Sequence, residues 1–217
     1  DYLLGAKVHI YSHEKFNSID VLKNNICSHL IEKGQKPYYI PMGASNATGS
    51  LGYVRMIQEL VQKKVQYEHI YCAVGSGGTL AGIMLGCQYF NRLEKIHGIP
   101  VCDNTGYFIS ELSRIQGEFK KEYNLNLDIS GCNTILDDNY KGIGYALNTE
   151  KELKILIQLA RQEGLIFDPV YTLKAFIGLT AHIEKGIIKK GERVLFVHTG
   201  GHYGIFPKTD ALKILLY

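Results

Sequence analysis

These 217 residues contain no C-x-x-C pair and no basic run longer than two residues. No apolar stretch approaches the ~20 residues that a membrane helix needs. Each absence removes a class of function. Cys27, Cys72, Cys87, Cys102 and Cys132 make an odd set without tight spacing, which argues against a disulfide scaffold or a structural zinc site. Reduced thiols in a cytoplasmic protein are expected instead. The net charge of +3 is dispersed, and neither a basic stripe nor a nucleic-acid motif is legible, so neither nucleic acid nor membrane is an expected partner. Repeats and low-complexity stretches are also missing. The chain opens at Asp1 without Met or leader and runs straight into strand-like sequence, so we expect further sequence upstream.

What is present belongs to a folded chain: 46% hydrophobic and 21% charged residues, enough length to bury a core unaided. Strand and helix signals alternate, which predicts α/β architecture around a mainly parallel sheet. Short strands are expected at 7–11 and 37–41. Between them Ile19, Leu22, Ile26 and Leu30 recur at helical spacing, with Asn17 or Ser18 as cap and Gly34 as stop. A loop at 43–50 precedes a helix over 51–64. Strands are predicted at 69–74 and 96–102, helices from the 75–79 loop to about Phe90 and over 105–122, while 127–136 is ambiguous. Thr149-Glu-Lys-Glu152 reads as a capping box opening a helix that stops at Gly164. One more helix (172–185) and a buried strand (193–198) complete the pattern.

The most specific local feature is Val74-Gly-Ser-Gly-Gly-Thr-Leu80, between a strand and a helix. Glycines let backbone approach a ligand, and the helix N-terminus offers free N–H groups and a positive dipole end, which suit a phosphate. Ser76 and Thr79 add hydroxyls. A tight strand-to-helix turn is the competing reading. The loop is neither a Walker A sequence nor a dinucleotide fingerprint in register. Thr199-Gly-Gly-His-Tyr203 ends a second apolar strand, and open α/β sheets bind ligands at the carboxyl ends of their strands. Asp168-Pro-Val-Tyr-Thr172 enters a helix, where Tyr171 can offer a flat ring or simply pack. Tyr145 lies in another glycine-flanked loop, with an ordinary surface aromatic as the plain alternative.

Together these stretches resemble one family, the pyridoxal-phosphate (PLP) enzymes of fold type II that include D-cysteine desulfhydrase and 1-aminocyclopropane-1-carboxylate (ACC) deaminase. The resemblance is carried by Tyr39-Ile-Pro-Met-Gly-Ala-Ser-Asn-Ala-Thr-Gly-Ser-Leu-Gly-Tyr53, Gly75–Thr79, Asp137-Asp138, Gly144-Tyr145, 163–175 and Leu195-Phe-Val-His-Thr-Gly-Gly201. It implies a tryptophan synthase β-like fold of two open twisted parallel sheets with flanking helices, incomplete at the N-terminus. Residues 1–42 would be the remainder of the smaller domain and 43–217 the larger, PLP-binding one. It further implies that Gly75, Ser76, Gly77, Gly78 and Thr79 wrap the cofactor phosphate, and that the Gly43–Ser50 loop borders them. Tyr171 would stack on the pyridine ring, Thr199 would hydrogen-bond its nitrogen, and Tyr145 would face the substrate. A homodimer acting on a small amino acid is the implied assembly and partner.

The implied reaction removes the Cα proton and then the β-substituent, taking D-cysteine to pyruvate, hydrogen sulfide and ammonia. ACC deaminase, which gives 2-oxobutyrate and ammonia, is the alternative. The deaminases carry glutamate after the stacking tyrosine; this chain has Thr172, which favours the desulfhydrase. Leu173 stands where the family has glycine, and His202-Tyr203-Gly204 where relatives carry small apolar residues. The family's Schiff-base lysine lies in a Gly-Asn-Lys motif, and none occurs here. An inert or cofactor-binding remnant, a cysteine-synthase-like enzyme of the same fold type and a nucleotide-binding module are the remaining readings. The lysines read as solvated charge on helix faces.

Overall fold

The computed structural model describes residues 2–12, 15 and 18–216, and its backbone divides into two units, Asp1–Pro41 and Met42–Tyr217. In the first unit α1 spans Ile19–Glu32, and none of its residues is fully buried. The helix is capped at Ser18 by backbone geometry alone, with no side-chain bond; the other candidate cap, Asn17, lies outside the described residues. Gly34 ends it at φ +75°, with its N–H donated to the Ile31 carbonyl, as a left-handed stop requires. The strands expected at 7–11 and 37–41 do not form: both stretches run irregularly or extended, with no ladder partner among the described residues. β-propensity marks a segment that can pair, but only a neighbouring edge makes it a strand.

The second unit is built on a four-stranded parallel sheet of β1 (His69–Val74), β2 (Lys95–Pro100), β3 (Thr134–Leu136) and β4 (Val194–Phe196), in the order β3-β2-β1-β4. The β1 side chains alternate between two cores. Ile70, Cys72 and Val74 join a cluster with Ile57, Leu80, Ile83, Phe108 and Ile115. Those residues come from α2 (Ala47–Gln62), α3 (Gly78–Tyr89) and α4 (Thr105–Tyr123). Tyr71 and Ala73 join Ile99, Val101, Ala175 and Leu179 on the side of α6 (Thr172–Glu184). A strand covered on both faces is buried at every residue, and from Ile70 to Val74 it is largely apolar, as a parallel central strand tends to be. Each fully buried Ile or Leu of these clusters contributes about 2 kcal/mol relative to exposure.

Helix α2 starts four residues earlier than its apolar pattern predicts, because Asn46 accepts the Gly49 N–H as an N-cap. It packs closely on α3, where a side chain on Gly86 would come within 2.9 Å of Ile57. Helix α5 (Glu150–Glu163) opens on the predicted capping box and closes at Gly164 in the left-handed region. Strand β4 is shorter than expected and only partly buried, since β1 alone borders it within the sheet. A 3-10 turn over His202–Lys208 and α7 (Thr209–Leu216) follow, neither legible in the sequence.

A buried polar chain crosses the core beneath α6. His69 joins the Glu192 carboxylate to His97, each contact at 3.0 Å. The His97 ring stacks on Tyr71 with centroids 4.2 Å apart. The Tyr71 hydroxyl meets His182 Nδ1 at 2.7 Å, and His182 Nε2 lies 3.1 Å from Asp137. The Nδ1 atom of His97 is buried without a hydrogen-bond partner among the described residues. Burial, then the neighbouring His69 and His182, push the His97 pKa down to about 3, so this ring is neutral in the folded chain.

Candidate functional site

Strand β1 is flanked by β2 on one side and β4 on the other. The strand order therefore reverses at the β1–β4 seam, where an open α/β sheet leaves a crevice at its carboxyl end. The two strands are parallel with Tyr71 opposite Phe196, so the loops that leave them emerge at the same edge. Gly75–Thr79 follows β1, and His198–Gly201 follows β4. The α6 entry lies against both. A methyl group on Gly75 would come within 2.7 Å of the Tyr171 ring, and one on Gly201 within 3.0 Å of the Asp168 carboxyl. Three segments separated by many residues thus converge on one crevice.

Gly77 turns the first loop at φ +88° and α3 begins at Gly78. Among the described residues, the N–H groups of Ser76 and Gly77 have no protein acceptor. The Gly78 N–H is taken by the buried Ser45 hydroxyl at 3.0 Å, and Ser45 Oγ in turn lies 2.7 Å from Ser76 Oγ. Arg114 holds the Ser45 carbonyl at 2.9 Å. Ser50 donates to the Gly78 carbonyl at 3.3 Å. Gly43 passes so close to Ser76 that a side chain there would overlap its hydroxyl. The result is a cradle of small side chains, hydroxyls and free amides at a helix N-terminus, a donor set matched to a phosphate dianion.

The α6 entry is organised by Asp168, which is almost wholly buried. Its Oδ1 accepts the N–H groups of Val170 and Tyr171 at 2.8 and 2.7 Å. Its Oδ2 accepts the Thr172 N–H and hydroxyl at 2.8 and 2.7 Å. A carboxylate bonded to the first amides of a helix satisfies their donors and complements the dipole. This fixes Tyr171 at the rim of the crevice. Its hydroxyl is in hydrogen-bond contact with that of Tyr145, and the rings meet edge to face at 5.9 Å. Burial, and then the Tyr145 hydroxyl, raise the Tyr171 pKa above its ordinary value, so the phenol keeps its proton at neutral pH.

The model of the family described as pyridoxal-phosphate dependent enzymes matches residues 1–200. The chain belongs to this family. A bifunctional D-cysteine desulfhydrase/ACC deaminase of Arabidopsis thaliana, named as mitochondrial, is 36% identical over 223 residues, covering 99% of this chain and 54% of that protein. A relative from Thermotoga maritima is 36% identical over 216 residues, covering 98% of this chain and 67% of its own. A crystal structure described as an ACC deaminase homologue superposes with a TM-score of 0.86 at 33% identity, covering 99% of this chain and 65% of that one. The chain spans about half to two thirds of the length of these relatives.

In this PLP family member the sequence-predicted residues do not all carry equal weight in the geometry. Gly75–Thr79, Tyr171 and Tyr145 are brought together. Thr199 stands exposed on the neighbouring loop, with no hydrogen bond among the described residues. Leu173, which stands where the family has glycine, turns into a core with Leu153, Leu156 and Phe167. Three further residues belong to the site's frame. Ser45 caps the cradle. Cys102, two residues beyond β2, donates to the Gly75 carbonyl at 3.3 Å, and burial raises its thiol pKa. Lys174, read from sequence as solvated, is fully buried. Its amine donates to the carbonyls of Lys141 and Gly144, both at 2.6 Å. Among the described residues, no group of His, Cys, Asp or Glu is arranged to hold a metal ion, and no helix is long and apolar enough to cross a membrane.

Proposed function

We propose that the complete protein is a PLP-dependent lyase that takes D-cysteine to pyruvate, hydrogen sulfide and ammonia. The observation that carries this reading is the convergence of the phosphate cradle, Gly75–Thr79, with Tyr171 at the sheet's switch point. In this assignment Gly75, Ser76, Gly77, Gly78 and Thr79 hold the cofactor phosphate, Tyr171 stacks on the ring and Thr199 bonds its nitrogen. PLP, when bound, supplies the electron sink for loss of the substrate's Cα proton. The Tyr145 and Tyr171 hydroxyls bond to each other, so one donates within the pair and the other keeps its proton to offer at the substrate's side of the crevice, which is why we assign both as catalytic. The Thr172 hydroxyl is wholly buried and bonded to Asp168. This position therefore presents no carboxylate to the crevice, which supports D-cysteine over ACC.

Among the described residues Lys174 is the one fully buried lysine, and its amine is committed to two carbonyls. We therefore place the Schiff-base lysine outside this sequence and propose that these 217 residues alone turn over no substrate. The division at Pro41/Met42 supports assigning 1–42 to a smaller domain and 43–217 to the PLP-binding domain. Five cysteines free of disulfides support a reducing compartment, which we take to be the cytoplasm. A homodimer is the assembly we propose, to be checked by light scattering.

The full-length protein, loaded with PLP, is to be assayed against D-cysteine, L-cysteine, D-serine and ACC. Pyruvate and sulfide release fastest from D-cysteine is expected. Faster release of 2-oxobutyrate from ACC would transfer the assignment to the deaminase. Absence of any cofactor absorbance band after incubation with PLP would remove the lyase reading altogether.

A further inference from the structure

The loop that carries Tyr145 has no regular structure of its own. Its backbone passes through φ +69° at Gly142, +150° at Gly144 and +57° at Ala146. Within the loop, the Leu147 N–H reaches the Gly144 carbonyl at a long 3.3 Å. Yet Tyr145 is held in contact with Tyr171. What fixes it is a pair of amines. Lys174 Nζ donates to the carbonyls of Lys141 and Gly144 at 2.6 Å each, and Lys208 Nζ donates to the carbonyl of Ala146 at 2.7 Å. The carbonyls on either side of Tyr145 are therefore both bound to lysine.

Charge-assisted bonds of this kind are about twice as strong as neutral ones. Burying an ammonium is costly, so a lysine that merely filled space would be replaced by Leu or Met at no loss. Burial lowers the Lys174 pKa, and the nearby Glu152 carboxylate works against that. Glu152 is itself fixed by the Thr149 capping box and closes on Gly142, where a methyl group would come within 2.7 Å of Oε1. Lys174 also lies in the first turn of α6, three residues after Tyr171. One helical turn thus sets both members of the tyrosine pair: Tyr171 through Asp168, and Tyr145 through the Lys174 amine.

We infer that Lys174 and Lys208 are positioning residues that clamp the Tyr145 loop and hold its phenol against Tyr171 at the crevice; the catalytic consequence rests on the lyase reading above.

The test uses the full-length protein with the variants K174A, K174M and K208M. Hydrogen exchange of amides in residues 142–147 reads the clamp without any cofactor, and steady-state kinetics on the PLP-loaded enzyme read its consequence. Exchange in the loop should quicken about tenfold or more in K174A and K208M, with the rest of α6 unchanged. Added n-propylammonium should restore slow exchange in K174A, where it can occupy the vacated space, but not in K174M. In the loaded enzyme kcat should fall at least about 30-fold while KM moves less than about threefold and the cofactor absorbance persists. Wild-type exchange and kcat in K174M would overturn the inference, because the amine would then be dispensable. Loss of fold and cofactor together in K174A, without amine rescue and with K208M unchanged, would reduce Lys174 to core packing. If the wild-type enzyme binds no PLP, the lyase reading falls, while the exchange data still decide whether the lysines hold Tyr145.

Discussion

The ring of Tyr171 occupies the space that any side chain on Gly75 would need: a methyl group there would come within 2.7 Å of Tyr171 Cε1 and 3.3 Å of Cδ1. Gly75 is the first residue after β1, and Tyr171 is the N-cap of α6. Their contact joins the phosphate cradle to the proposed stacking ring.

Gly75→Ala should therefore displace Tyr171 rather than the loop, because the loop is anchored by Cys102 and Ser45. Overpacking of this kind costs about 1–3 kcal/mol. Affinity for PLP should fall at least about tenfold, since each tenfold corresponds to about 1.4 kcal/mol. Titration of PLP against tyrosine fluorescence and absorbance checks this. Tyr171→Phe, which keeps the ring, should bind PLP within a few fold of wild type. Unchanged affinity in Gly75→Ala would show that Tyr171 does not border the cofactor.

Asp168 accepts four hydrogen bonds from the α6 entry with its two oxygens. Asp168→Asn keeps the shape but sets an amide NH2 against backbone donors. Removing a buried, charged acceptor in this way should cost about 2–4 kcal/mol. The measurement is the urea midpoint at constant m value. Because Tyr171 is oriented through the same carboxylate, PLP affinity should fall in the same variant. A stable Asp168→Asn protein with normal affinity would mean that Pro169 and Leu173 alone suffice to orient the entry.

Much of this framework is legible in the sequence alone. The strand His69–Val74 and the glycine loop after it announce themselves by an apolar run that stops abruptly, and Thr149–Glu152 by a local rule that needs only four residues. The Asp168–Thr172 entry was visible through Pro169 and the family resemblance. Other features depend on partners far away in sequence. Residues 37–41 carry a β-like composition but find no ladder partner among the described residues. Ser45 is an ordinary loop serine until the fold brings it to the Gly78 N–H, 33 residues on. Lys174 resembles any helix lysine, and only the carbonyls of a glycine loop some thirty residues upstream make its burial tolerable. Spacing rules report short-range geometry, so a charge satisfied by a distant backbone leaves no periodic trace.

Ser45 gives a third prediction. Its hydroxyl accepts the Gly78 N–H and contacts Ser76 Oγ. Ser45→Ala leaves the buried Gly78 N–H and the half-buried Ser76 hydroxyl without that partner, a loss of about 1–2 kcal/mol. The effect on inorganic phosphate and on PLP should be parallel, a weakening of a few fold in each, because the defect lies at the phosphate end. Pyridoxal without its phosphate should bind as weakly to the variant as to wild type. A selective loss of pyridoxal binding would place the phosphate elsewhere.

The last prediction concerns acid. His97 is buried with its Nδ1 unpartnered, faces His69, His182 and Tyr71, and has its pKa pushed down to about 3. In the unfolded chain an ordinary histidine titrates near 6.5. Above about pH 6.5 both states are neutral and the full stability is present. As pH falls below that value the unfolded chain takes up the proton while the folded chain does not, so stability declines until about pH 3. The slope contributed by one such proton approaches about 1.4 kcal/mol per pH unit. Urea unfolding at pH 7, 6 and 5 should show the midpoint falling throughout this range, before most carboxylates titrate. His97→Phe retains a ring to stack on Tyr71 and cannot take the proton, so its midpoint should fall less steeply over the same interval. An unchanged slope in that variant would assign the acid sensitivity to other groups, because His97 could then not be the residue whose burial excludes the proton.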